Sequence, residues 1–217
     1  MKISKRTLAI LKNFASINQS IVIRPGNKIE TISNHKDLLG SVEVEETFPI
    51  EFAIYDLNEL LGALSLFEDP DIEFDPESLI ISEGNSTQRY YYADKSVITQ
   101  VPEQGVTLPS VEVTAKLTKE QLPRLIRAAA INNLTDLAFV NGSVKVYDKN
   151  VPNSNSFSIS DIASHDQDYE LPIAVEKMKM VPDDYEIEIC SRGLSKFVGS
   201  QGITYLVALQ SGGKYGS

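Results

Sequence analysis

The chain has 217 residues, 42% hydrophobic and 23% charged, an ordinary globular balance that allows one large domain or two of about 100 residues each. No apolar run approaches the roughly 18 residues of a membrane span and no secretory segment opens the chain, so it is expected to be soluble and to stay in the cytoplasm. Cys190 is the single cysteine, which excludes a disulfide framework and any multi-thiol metal site; within "YEIEIC" it reads as a small core residue.

From Ser4 to Phe14 apolar residues recur at helical spacing: Leu8, Leu11 and Ala15, flanked by Ile10 and Phe14, fill one side of the wheel. Lys5, Arg6 and Lys12 fill the other, and Ser4 is placed to cap the helix. "SIVIRPGNKIETI" reads as a hairpin turning at Pro25-Gly26-Asn27, and "SVEVEET" and "IEFAI" alternate like strands. "YDLNELLGALSLF" predicts a second helix starting near Asp56 and burying Leu57, Leu60, Leu61 and Leu64. "DPDIEFDPESLIISEG" and "QRYYYA" follow as strands with acidic turns between them. The stretch Val101–Pro109, "VPEQGVTLP", has two prolines, a glycine and no periodicity, which marks a linker. Two domains are therefore expected, 1–109 with the linker included and 110–217.

After the strand "VEVTAKL", the phrase "KLTKEQL" at Lys116 repeats "KISKRTL" at Lys2. Thr118 answers Ser4, Lys119 answers Lys5, Leu122 answers Leu8, Leu125 answers Leu11 and Ala129 answers Ala15. Thr118 and Gln121 form a capping-box pattern, and Pro123 delays the regular helix to Leu122. "DLAFVNGSVKVYD" then reads as a hairpin turning at Asn141-Gly142. "SFSISDI" and "YELPIAV" are strands, "VEKMKM" a short helix, and "YEIEIC", "SKFVGS" and "TYLVALQ" strands, before a loose tail, "SGGKYGS". A repeat of this length suits a duplicated domain rather than a solenoid. The fold class read from these elements is α+β with two similar domains.

The formal net charge of −10 by itself argues against nucleic acid, but its distribution is uneven. Ten of the twenty basic residues fall within Lys2–Lys12, Lys116–Arg127 and Lys177–Lys179, about an eighth of the chain, against the single acid Glu120. No enzymatic constellation accompanies them. His35 and His165 are the only histidines and neither has metal or triad spacing. "SHDQD" and "DPDIEFDPE" read as solvated polar loops, the second lacking the glycine of a calcium loop. No phosphate loop, nucleophile elbow or dinucleotide fingerprint is present, so neither an activity nor a cofactor is expected. Lys5, Arg6 and Lys119 are placed in first helical turns, where the macrodipole disfavours each cation by about 0.3–1 kcal/mol, which points to use. Basic faces without interleaved aromatics suit phosphates rather than stacked bases, so the expected partner is a duplex backbone. The DNA-facing set is Lys5, Arg6, Lys12, Lys119, Arg124, Arg127, Lys177 and Lys179.

"MKISKRTLAILKNFASIN", "FAIYDLNELLGALSL" and "MKMVPDDYEI" resemble the DNA polymerase sliding clamps of T-even-type bacteriophages. That resemblance implies a DNA-clamp fold and a closed homotrimer in which helices line a pore and antiparallel sheets lie outside. It further implies a non-enzymatic processivity factor in the cytoplasm of an infected host cell. The implied partners are duplex DNA, the replicative DNA polymerase, an ATP-driven clamp loader and late-transcription factors. The helix carrying Asp56 and Glu59 departs from the pattern, having no basic residue for a pore. For the subunit contact the candidates are Tyr90, Tyr91 and Tyr92 with Phe157, Ser158 and Ile159. For a partner-peptide pocket they are Val106, Leu108 and Pro109 of the linker with Tyr205, Val207 and Leu209, the last three sharing one face of a strand. Two rival readings remain, a two-domain virion structural or nucleic-acid-binding protein and a nuclease using the acidic loops.

Overall fold

The structure is a computed structural model describing residues 1–216, and the chain divides into two compact units at Glu103/Gln104. In the first unit, helix α1 (Lys5–Ile17) is capped by Ser4, whose hydroxyl accepts from the Thr7 amide at 3.2 Å. Its buried residues are Thr7, Ile10, Leu11, Phe14 and Ile17, while Leu8 and Ala15 are only half-buried. The apolar stripe is thus turned by about one position from the expected one, because Phe14 rather than Ala15 fills the core.

Strands β1 (Ile21–Ile23) and β2 (Gly26–Ile32) flank the expected turn, and Gly26 supplies its φ of 114°. They do not pair as a hairpin. β2 pairs with β3 (Leu38–Phe48), and β1 pairs instead with β4 (Phe52–Ile54), because three residues of β1 suffice to cover the short β4. Along β3, Val42, Val44, Glu46 and Phe48 point inward and alternate with exposed Glu43, Glu45 and Thr47. Helix α2 (Leu57–Leu64) starts from Asp56, which accepts from the amides of Asn58 and Glu59 at 2.9 and 3.3 Å. It buries Leu57, Leu60, Ala63 and Leu64, with Leu61 half-buried, since Ala63 lies nearer the centre of the face. β5 (Asp71–Phe74), β6 (Ser78–Glu83) and β7 (Ser86–Tyr91) form an antiparallel sheet in that order. Met1 exchanges backbone hydrogen bonds with Ile72 and so covers the β5 edge, leaving β7 as the other rim.

The second unit begins within the irregular linker. β8 (Val113–Leu117) leads to helix α3 (Gln121–Asn132), which buries Leu122, Leu125 and Ala129, as the repeat predicts. Pro123 does not delay this helix: it falls at the third helical position, where an amide would have no partner inside the helix. Thr118 lies outside the helix, and only half of the capping box forms, the Gln121 side chain accepting from the Thr118 amide at 2.8 Å. Asn133 closes α3 in the left-handed region at φ 52°. β9 (Asp136–Val140) and β10 (Ser143–Tyr147) make the expected hairpin, with Asn141 and Gly142 at φ 42° and 79°.

β11 (Phe157–Ile159), β12 (Tyr169–Ala174), β13 (Tyr185–Cys190), β14 (Leu194–Gly199), β15 (Thr204–Ala208) and β16 (Lys214–Tyr215) complete the unit. One sheet has the order β11-β10-β9-β12-β16, and another part runs β15-β14-β13-β8. The expected loose tail is therefore corrected: Lys214 and Tyr215 pair with Glu170 and Tyr169, while Ser217 lies outside the described residues. The expected second helix of this half is one 3-10 turn, Val175–Lys177. Phe139, Tyr185, Phe197 and Tyr205 form its aromatic core, with ring centroids 6.1 to 6.3 Å apart. Cys190 is fully buried.

Candidate nucleic-acid and partner interfaces

On α1 the face opposite Phe14 carries Lys5 and Lys12 in solvent, whereas Arg6 is half-buried and donates to the Glu43 carbonyl at 3.1 Å. Lys5 and Arg6 occupy the first helical turn, which contains no acid. The counter-charge comes from β3. The Glu46 carboxylate accepts from the Ser4 amide and, at 2.6 Å, from the Thr7 hydroxyl. Burial alone pushes this carboxyl up, but the hydrogen bonds from Ser4 and Thr7 outweigh it and hold it below its usual range.

In the second unit, Arg124 and Arg127 are exposed on α3. Lys119 does not stand in a first helical turn: it precedes α3, and its amide donates to Asp184 at 2.8 Å. The dipole argument therefore holds for Lys5 and Arg6 only. The Arg124 guanidinium carbon lies 5.0 Å from the centroid of the Phe157 ring, within cation–π range. Lys177 is half-buried with its ammonium 3.4 Å from the Ala208 carbonyl, and Lys179 is exposed.

Tyr90 and Tyr91 end the outer strand β7, with Tyr92 just beyond it, and Phe157, Ser158 and Ile159 make up the outer strand β11. Tyr91 is 67% exposed. Its neighbours turn the other way: the Tyr90 hydroxyl reaches the Glu59 carboxylate at 3.1 Å and the Asp56 carbonyl at 3.2 Å, and the Tyr92 ring stacks on Phe52 at 5.3 Å. Burial first, then Glu59, pushes the Tyr90 phenol up to about 12. Phe157 and Ile159 are half-buried and Ser158 is exposed.

The pocket candidates separate. Val106 and Pro109 are exposed and Leu108 and Leu209 half-buried, but Tyr205 and Val207 are fully buried, so the inward face of β15 belongs to the core and not to an open groove. The Tyr205 hydroxyl accepts from the Val181 amide at 3.3 Å, and Val207 offers only its carbonyl, to the Ser195 hydroxyl at 2.9 Å. Among the described residues no group of three or more His, Cys, Asp or Glu could hold a metal ion, and no helix is long and apolar enough to cross a membrane. The sequence reading missed Glu46, although an acid on the inward phase of β3, between Val44 and Phe48, is a visible signal that buried donors await it.

The profile of the DNA polymerase processivity factor family matches residues 2–100. The sliding clamp of Vibrio phage KVP40 is 30% identical over 97% of this chain and the whole of its own length. This chain belongs to the sliding clamp family. The clamp of Enterobacteria phage T4 is 29% identical over 97% of both chains. Solved structures show the same fold at low identity. The DNA polymerase III beta subunit of Pseudomonas aeruginosa superposes with a TM-score of 0.68 at 13% identity, over 98% of this clamp but only 64% of the subunit. A. fulgidus PCNA, solved with the C-terminal region of FEN-1 bound, gives 0.68 at 13% identity over 94% of each chain. The clamp is accordingly a DNA polymerase processivity factor and not an enzyme, and its two units are the α+β domains of the clamp fold.

Proposed function

We propose that this clamp closes as a homotrimer around duplex DNA and tethers a replicative DNA polymerase, in the cytoplasm of an infected host cell. The observation that carries the reading is the pair of amphipathic helices: α1 and α3 bury one face and hold Lys5, Lys12 and Arg127 in solvent on the other, in a chain of net charge −10. An acidic exterior repels DNA and a basic lumen holds it through phosphates without reading sequence. The open rims of β7 and β11 supply one contact of each kind per chain, which is the head-to-tail arrangement a closed ring needs. Val106, Leu108 and Pro109, with Leu209, are the surface for a partner's short apolar segment; a partner's C-terminal region is bound to the similarly folded A. fulgidus PCNA. An ATP-driven loader and late-transcription factors are further partners, competing for that surface.

The test is alanine substitution of Lys5, Lys12, Lys119, Arg127 and Lys179 together. The protein should still fold and give the mass of a trimer, while clamp-dependent synthesis at moderate salt falls sharply. The salt slope of DNA association should shrink by roughly 0.9 for each phosphate that the substituted side chains no longer neutralise. Unchanged processivity refutes the DNA-facing assignment, and a monomeric mass for the unsubstituted chain refutes the ring.

A further inference from the structure

The outer strands β7 and β11 each carry an aromatic residue tied to a charge on a helix, and the two charges are opposite. On β7 the Tyr90 hydroxyl reaches Glu59 of α2 at 3.1 Å, and on β11 the Phe157 ring lies 5.0 Å under Arg124 of α3. The helices are sorted in the same sense. With their caps included, α2 has Asp56 and Glu59 and no Lys or Arg, while α3 has Arg124 and Arg127 and the single acid Glu120 at its cap.

From this we infer that Arg124 forms an ion pair with Glu59 of the neighbouring copy, sealing the junction from the helix side, and that Arg124 is not a DNA contact. The inference rests on the β7–β11 junction proposed above. Pairing those strands brings them about 4.8 Å apart, with facing side chains about 5 Å apart at Cβ. The register that sets Tyr90 beside Phe157 carries Glu59 and Arg124 toward each other, and it is the one the inference requires. A guanidinium is a planar fork that can meet the Glu59 carboxylate with two parallel hydrogen bonds. The acidic α2, which makes no sense as a pore-lining helix, is explained as the complement of the basic α3.

The experiment is a charge swap read by sedimentation and native mass spectrometry over a range of concentrations. Arg124→Glu and Glu59→Arg should each raise the concentration needed to hold the trimer by about a hundredfold, since like charges then face each other in the junction. The combined variant should return to within about tenfold of the original. Arg124→Gln and Glu59→Gln, with circular dichroism melts, keep the test valid if a swapped variant misfolds; each should weaken the trimer without lowering the melt of the monomer. Phe157→Asp and Tyr91→Asp test the junction itself. If they leave the trimer intact, the junction lies elsewhere. If they dissolve it while the swap shows no rescue, the junction stands and the ion pair is refuted. An intact trimer in Arg124→Glu with DNA association abolished also refutes the pair and returns Arg124 to the DNA face.

Discussion

Replacing Gly40 by alanine probes how α1 is seated. Gly40 sits within β3 opposite Thr31, and a Cβ there would lie 2.7 Å from the Phe14 ring, with two more ring atoms at 3.2 and 3.4 Å. Ordinary contact begins near 3.4 Å, so the ring must retreat by about 0.7 Å. Phe14 is fully buried, and close-packed interiors give a ring little room to retreat. Overpacking of this kind costs about 1–3 kcal/mol. The backbone at Gly40 is ordinary extended strand, so without the clash alanine would stabilise by about 0.4–1 kcal/mol through the unfolded chain. The sign of the change therefore separates the two cases. Denaturant unfolding should show Gly40→Ala destabilised by about 1–3 kcal/mol, and Phe14→Leu should cost less in its presence than alone, a coupling of about 0.5–3 kcal/mol. A more stable Gly40→Ala protein, or strict additivity of the pair, refutes the close approach of β3 to α1.

Glu46 makes the fold sensitive to acid. Its carboxyl is held below the usual range in the folded chain, so its contribution is complete above the unfolded value near pH 4.3 and fades as pH falls through the lower folded value. Glu46→Gln should lose about 1–3 kcal/mol at neutral pH and flatten the acid limb of the stability curve; an unchanged limb would assign that sensitivity to other carboxylates. Leu108→Asp should preserve the trimer and its melt but abolish binding of a polymerase C-terminal peptide in titration calorimetry, and unchanged affinity places the pocket elsewhere.

The elements whose pattern is local were legible in the sequence. The α3 stripe of Leu122, Leu125 and Ala129, the Ser4 cap and the Asn141-Gly142 turn follow from helical period and turn chemistry alone. Pairings between distant segments were not. Nothing in "SIVIRPGNKIETI" reveals that β1 will leave β2 for β4, because strands of three residues carry too little alternation to choose a partner. The tail residues Lys214 and Tyr215 have no strand pattern and are ordered by the edge that β12 offers. Among the site residues, exposure of Lys12 and Arg127 was legible from helical amphipathicity, whereas which of the three tyrosines faces solvent was not. The burial of Tyr205 and Val207 was not, because alternation places residues on a common face without saying which face is covered. Lys119 was misplaced because Glu120, not Thr118, stands at the head of α3.

The contact between Glu46 and the start of α1 has a wider meaning for how a surface acquires one sign of charge. A helix normally advertises its anion: the acid that satisfies its first turn stands on the helix itself, in solvent, where any approaching phosphate would meet it. Here the anion is hidden. It is lent by a neighbouring strand, is only 8% exposed, and is shielded by the Ser4 and Thr7 donors it serves. The first turn of α1 is thereby free to spell Lys-Arg, and the outward field of that face is cationic without the helix end being left electrostatically bare. Sequestering the counter-ion inward lets selection tune the outer face residue by residue while the inner partner stays fixed.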